Sequence, residues 1–135
     1  MAQSFQRMVY VLAAVGVLAN ASLMVHSGEP GELYWYFLAL AFLAWSSIPF
    51  ITLAGAAWLS SWELPGAATL FITTAVITFG GIQILVDTLL VNVDPRSGIV
   101  FVVLPVYQSV VAVLGIGLAL GSEHLGRRLS SAARR

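Results

Sequence analysis

The residues that could bind an ion or carry a proton are few in this chain. Asp87 is the only formal charge inside a long apolar stretch, and Gln83 precedes it by four residues. Gly80 falls on the same side of a helix as both, so the three share one face. Once the chain is folded into antiparallel spans, four further polar residues belong to the same half of the molecule: Asn20, His26, Tyr107 and Gln108.

This grouping predicts a small polar or ion site that opens on the side opposite the termini, with Asp87 as its ionisable member. A charge within a membrane span is expensive and often marks an ion or proton path. The structural interpretation is the one we favour. Asp87 would then lie in headgroup water or pair with Arg96, while Asn20, Gln83 and Gln108 would hold neighbouring helices together by hydrogen bonds.

Catalytic and cofactor chemistry find little support in the sequence. The absence of cysteine excludes disulfides, thiolate nucleophiles, iron–sulfur clusters and cysteine-based zinc sites. No sequence motif of a known catalytic or phosphate-binding site is present. His26 and His124 are expected at opposite ends of the molecule, so they cannot ligate one haem as a pair. We therefore predict a non-enzyme without a metal or cofactor.

The composition indicates a membrane protein. Of the 135 residues, 59% are hydrophobic and 9% are charged, whereas soluble domains carry about 25% charged residues. A water-soluble fold would lack polar side chains to cover its surface, but bilayer hydrocarbon solvates apolar side chains directly. The net charge is zero and all six basic residues are arginine, so no nucleic-acid partner is expected.

Four long apolar stretches predict the fold. They cover about 8–25, 33–59, 67–91 and 99–121, and a polar tail follows over 122–135. Each is near or above the roughly 20 residues that a helix needs to cross a bilayer. None shows the alternation of a barrel strand. We predict one domain over 1–135, an all-α, four-helix transmembrane bundle of up-and-down antiparallel neighbours.

Arginine placement predicts the orientation. Five of the six arginines lie in the terminal segments: Arg7, Arg127, Arg128, Arg134 and Arg135. Loops rich in arginine stay in the cytoplasm, so both termini are expected inside (N-in/C-in) in a bacterial inner membrane. The four arginines of the tail are also expected to contact lipid headgroups.

A second interpretation of the N-terminus stays open. Arg7, the apolar run after it and Ala19-Asn20-Ala21 also resemble a secretory signal with a small-residue cleavage site. Cleavage would leave three spans. We prefer the retained first span.

Glycines provide the expected packing positions. Small residues let membrane helices approach closely, and five glycines in the last two spans are candidates: Gly80, Gly81, Gly115, Gly117 and Gly121. We expect packing within one chain ahead of packing between chains.

The leading functional interpretation is a non-enzymatic accessory or structural subunit of a bacterial inner-membrane assembly. Short loops, abundant small residues and scarce ionisable groups favour it. The main alternative is an oligomeric small channel or transporter lined by Asp87 and its polar neighbours, and a third is a lipid- or quinone-binding protein. The expected partners are membrane lipids together with further copies of the chain or a larger membrane complex.

Overall fold

The computed structural model describes residues 1–28, 31–59, 61–93 and 97–132, apart from the Ser130 side chain. All the regular secondary structure among these residues is helical, as predicted. The four long helices are α1 (Ala2–Ser27), α2 (Leu33–Leu59), α3 (Leu64–Val86) and α4 (Val100–Ala132). A π-helical segment, Asp87–Val91, continues α3, and a 3₁₀ turn, Ser97–Ile99, leads into α4.

All four helices are long and apolar enough to cross a membrane. The helical segments that meet this criterion contain 26, 27, 28 and 33 residues, and at 1.5 Å per residue each exceeds the roughly 30 Å of a hydrocarbon core. The prediction of an all-α fold with four helices able to cross a membrane is confirmed.

The helices form a four-cornered bundle in which α1 and α4 each pack against both α2 and α3. Successive helices run antiparallel. For example, Gln6 near the start of α1 donates a hydrogen bond to the Ala57 carbonyl near the end of α2. We call the end where α1 begins and α4 ends the terminal end, and the opposite one the far end.

One detail of the predicted neighbour relations is wrong. The helices α2 and α3 follow each other directly but sit at opposite corners, with few contacts between them. A short loop requires only that two helix ends be within reach. With helices 8–10 Å apart the diagonal is roughly 13 Å, which about four extended residues span. The separation in sequence between Leu59 and Leu64 is therefore long enough for the diagonal step.

The apolar core occupies the centre and the terminal half of the bundle. It includes Val9 on α1, Leu53 on α2, Leu70 on α3 and Ala112 on α4, each fully buried. A smaller cluster of Leu85, Leu89 and Leu104 closes the far end. The two clusters hold the bundle together along most of its length.

Both helical prolines, Pro49 and Pro105, lie inside the bundle, and the serines beside Pro49 do not compensate for its missing N–H. Because Pro49 has no N–H, the Trp45 carbonyl loses its helical donor. The hydroxyls of Ser46 and Ser47 do not replace that donor. Both donate instead to the Leu43 carbonyl, at 3.2 and 2.7 Å, because a serine hydroxyl reaches back three or four residues along its own helix.

The fourth helix extends further than predicted. The apolar stretch ends at Gly121, yet α4 continues to Ala132. Residues such as Leu125, Arg127 and Leu129 favour helix intrinsically, and Arg127 bonds to Glu123 one turn before it at 3.1 Å. The described part of the tail is therefore helix, and its first turn carries a buried carboxylate.

Candidate functional site

Gln108 lies inside the bundle, in contact with α3. Its side chain is 5% exposed, and its Nε2 donates to the Ile77 carbonyl at 3.2 Å. Gly81 makes this approach possible, because a Cβ at that position would overlap the Gln108 amide. The Gln108 Oε1 is buried without a hydrogen-bond partner, so the amide is used on its donor side.

Asn20 also faces the interior, on α1. It is 4% exposed, and its amide has no hydrogen-bond partner among the described residues. Gly16 lies against Phe50, and Gly28 lies against Trp35. This antiparallel register puts Asn20 at the level of the buried Ser46, whose hydroxyl bonds within α2. Asn20 on α1 and Gln108 on α4 lie in helices at opposite corners of the bundle.

The other four residues of the predicted polar site lie on the outer surface of the bundle. They are His26, Gln83, Asp87 and Tyr107. Gln83 and Asp87 share one face of α3, as predicted, and border a shallow cavity of about 390 Å³ with Ile84 and Val91. The structure therefore does not gather the six residues into one pocket, and whether any of them binds an ion stays a prediction.

Asp87 has a local partner in the π-helical segment. Its Oδ1 accepts a hydrogen bond from the Asn92 Nδ2 at 2.8 Å, and its carbonyl accepts the Asn92 N–H at 2.7 Å. The side-chain bond orients the carboxylate at the far end of α3. The predicted partner Arg96 lies outside the described residues, so an Asp87–Arg96 ion pair stays a prediction.

The five candidate packing glycines divide into two groups. Gly81 lies against Gln108, and Gly115 lies so close to Thr73 of α3 that a Cβ would overlap the threonine side chain. A Cβ at Gly80, Gly117 or Gly121 would meet nothing within 4 Å. The first two pack helices within the chain, as expected, and the other three leave open backbone on the outer surface.

A buried carboxylate at the terminal end was not predicted from the sequence. Glu123 is 8% exposed, and both of its oxygens accept the Glu63 N–H, at 3.0 and 3.1 Å. Glu63 is the N-cap residue of α3, so a side chain of α4 caps another helix, where its negative charge is favourable. The i,i+4 pair of Glu123 with Arg127 was the available signal.

Arg127 links two carboxylates instead of projecting freely from the tail. Its Nη2 lies 3.1 Å from the Glu123 Oε1 and its Nε lies 3.4 Å from the Glu63 Oε1. Arg128 is exposed, whereas Arg134 and Arg135 lie outside the described residues. The headgroup contacts expected of these four arginines stay predictions.

A cavity of about 400 Å³ opens beside this cluster, between the ends of α2 and α4. Trp62 and Glu123 line it together with His124 and Arg127. Trp62 is buried, and its Nε1 donates to the Ala56 carbonyl at 2.8 Å. Glu123, Glu63 and Arg127 are bonded to one another, so the arrangement joins the start of α3 to the last turns of α4.

A second cavity, of about 420 Å³, lies at the far end and has mainly apolar walls. Trp35, Phe42 and Phe101 supply aromatic surface, and Ser27 and Ser97 stand among the lining residues. It would accommodate an apolar chain or ring. The predicted lipid- or quinone-binding role remains a prediction.

The described residues contain no group of three or more histidine, aspartate or glutamate side chains placed to hold a metal ion. The chain matches no family model, no curated protein and no solved structure.

Replacing Gln108 by methionine tests whether this amide matters to the fold. The change removes one hydrogen bond and also the unpartnered Oε1, at nearly constant volume. We expect the free energy of unfolding to change by less than about 1 kcal/mol, because removing a buried orphan acceptor offsets the lost bond. Denaturant unfolding in detergent measures it, with the exposed Tyr107→Phe as control. A loss of several kcal/mol would contradict this account of the site.

Proposed function

We propose that this protein is a non-enzymatic structural or accessory subunit of a larger assembly in a bacterial inner membrane. The main support for the proposal is that the candidate packing glycines divide between the inside and the outer surface of the bundle. The glycines that face inward are filled by the chain's own side chains, while Gly80, Gly117 and Gly121 are open on the outer surface.

The polar groups inside the bundle support a structural role. Gln108 bonds to α3, and the Thr78 hydroxyl donates to the Leu12 carbonyl of α1 at 3.3 Å. The Thr74 hydroxyl donates to the Leu70 carbonyl one turn back in its own helix. These bonds tie helices together or satisfy a hydroxyl locally, and they form no continuous chain of polar side chains among the described residues.

The outer surface supports contact with other helices. Membrane helices associate through small residues that bring backbones together and through polar side chains that bond across the contact. Gly117 and Gly121 on α4 supply the first feature, and Gly80 with Gln83 on α3 supplies both.

The proposed location follows from charge. The terminal arginines favour a cytoplasmic position for both termini, and Glu32, in the connection between α1 and α2, adds acidic character to the opposite side. Membrane lipids are the proposed surroundings. Reporter fusions at each terminus test the orientation, and a terminus that reports from outside the cytoplasm contradicts it.

Native mass spectrometry tests the assembly. The tagged protein is extracted from its own membrane in mild detergent, and the mass of the intact particle is measured. We expect a particle that contains a second protein in fixed stoichiometry. A control extraction of an unrelated four-span protein with the same tag identifies contaminants. Recovery of this chain alone from its native membrane, under conditions that keep other complexes intact, would contradict the proposal.

The second candidate is an oligomeric channel or transporter, favoured by one observation. Gln83 and Asp87 stand on one face of α3 beside a shallow cavity of about 390 Å³, and several copies could enclose that face. This function predicts ion flux in liposomes. Asp87→Asn should abolish the flux, whereas Asn92→Ala, which keeps the Asp87 carboxylate, should leave most of it. Our leading proposal predicts no flux from either variant or from the natural chain.

A further inference from the structure

Gln83 is a polar side chain exposed on a membrane-spanning helix. The helical segment Leu64–Val91 has its midpoint between residues 77 and 78, so Gln83 lies about 8 Å from it at 1.5 Å per residue. Half of a hydrocarbon core is about 15 Å thick. If the helix is centred in the bilayer, Gln83 stands inside the hydrocarbon, where no water reaches its amide.

An amide in that position needs a partner. Gln83 is exposed, and it has no hydrogen-bond partner among the described residues. Polar side chains in membrane spans normally face the bundle interior or bond to another helix. The interior of this bundle is not within its reach, because Gly81 and Leu85 occupy the inward side of α3.

The backbone next to Gln83 is open to a second helix. Gly80 is one turn away on the same face, and a Cβ added there would meet nothing within 4 Å. The adjacent Gly81 shows what such a gap does in this chain, since it lets the Gln108 amide reach the Ile77 carbonyl. Gly80 offers the same access from outside.

We propose that the face of α3 formed by Val76, Gly80, Gln83 and Asp87 binds the same face of a second copy of this chain. Two copies inserted in the same direction are related by a two-fold axis along the membrane normal, so both Gln83 amides lie at one depth. Each amide has a donor and an acceptor, and a pair of them is therefore self-complementary. Gly80 lets the two helices approach.

A second copy fits this face better than a lipid. A hydrocarbon tail leaves both amides unsatisfied, and the Gln83 position is too deep for headgroup oxygens. Asp87 lies about 14 Å from the helix midpoint, at the edge of the hydrocarbon. There water and salt screen the two carboxylates from each other, so the contact is centred on Gly80 and Gln83.

Disulfide crosslinking in membranes tests the proposed face, because the chain has no native cysteine. Single cysteines at Val76 and Gly80 are expected to give covalent dimers under mild oxidation. Ile51 is the matched control, being 65% exposed at a similar depth on α2, at the opposite corner of the bundle. Equal crosslinking at all three positions, or crosslinking at Leu118 on α4 instead, overturns the proposal.

Energy transfer between labelled copies, diluted with lipid in liposomes, measures the association itself. Gln83→Leu is expected to weaken it about 10-fold or more, because it removes both hydrogen bonds of the amide pair and one such bond corresponds to about 3- to 10-fold. Gln83→Asn is expected to retain most of it. Gly80→Leu should abolish it by blocking close approach, whereas the equally open Gly117→Leu should leave it unchanged. Association insensitive to both Gln83→Leu and Gly80→Leu overturns the proposal.

This inference rests on the membrane location proposed above but not on a second protein partner. The liposome experiments use this chain alone. A native particle with a single copy and another protein seated on α3 would overturn the dimer and keep the proposed function. A dimer that recruits no other protein in its native membrane would support the dimer and overturn the proposed function.

Discussion

Gly115→Leu is expected to destabilise the protein strongly, while Gly117→Leu, two residues away in the same helix, is expected to leave the fold intact. At Gly115 even a Cβ overlaps the Thr73 side chain of α3. At Gly117 a Cβ meets nothing within 4 Å. The two positions have the same residue type and nearly the same depth, so the comparison isolates the helix contact.

The threonine cannot move aside at low cost. Thr73 is β-branched and stiff about χ1, and its hydroxyl donates to the Thr69 carbonyl at 2.9 Å. Rotating it away breaks that bond, and separating the helices opens the core around the buried Ala112 and Leu70. Overpacking typically costs about 1–3 kcal/mol, and leucine at Gly115 should reach the upper part of that range.

Unfolding in mixed detergent micelles, followed by circular dichroism, measures the effect. A double-mutant cycle adds a control. Gly115→Ala alone should destabilise, and adding Thr73→Gly should restore part of the loss because it removes the overlapped atoms. Equal stability of Gly115→Leu and Gly117→Leu would mean that α3 and α4 do not meet at Thr73.

Glu123→Leu has the second largest expected effect. The substitution leaves the Glu63 N–H at the start of α3 without its acceptor and removes one of the two carboxylates bonded to Arg127. Losing a helix cap costs about 0.5–2 kcal/mol. Because the Glu63 cap and an Arg127 ion pair are lost together, we expect about 2 kcal/mol in total.

The same unfolding measurement checks this prediction with two comparisons. Glu123→Gln keeps an acceptor oxygen but not the charge, so its stability should fall between those of the natural chain and Glu123→Leu. His124→Ala changes an exposed neighbour and should have little effect. If Glu123→Leu were as stable as His124→Ala, the carboxylate would not cap α3.

The sequence was sufficient to predict the helices but not their contacts. Length and hydropathy determine how many segments can cross a membrane, and all four were recovered. Which side of a helix faces inward is harder to predict, because helices that are apolar all round show no polar face to mark the outside. Gly80 and Gly81 are adjacent, yet only Gly81 touches another helix.

The same limit explains why the residues of the predicted polar site do not lie in one pocket. Depth along the helices was inferred from sequence spacing, and it grouped Asn20, Gln108, Gln83 and Asp87 in one half of the molecule. Sequence spacing does not show which way a side chain points around its helix axis. In the structure Asn20 and Gln108 face inward, whereas Gln83 and Asp87 face outward. Glu123 was overlooked because its burial depends on α3, whose N-terminus supplies the N–H that the carboxylate accepts.

Thiol labelling of single-cysteine variants tests most directly whether the interior of the bundle is closed. A water-soluble, membrane-impermeant thiol reagent is applied to liposomes in which the protein has a single cysteine in place of Asn20, Gln108 or Asp87. We predict modification at Asp87, at the edge of the hydrocarbon, and none at Asn20 or Gln108 in folded protein. Rapid modification at Gln108 in a protein that retains its helical signal and unfolding transition would reveal a water path through the bundle, and it would contradict a purely structural role.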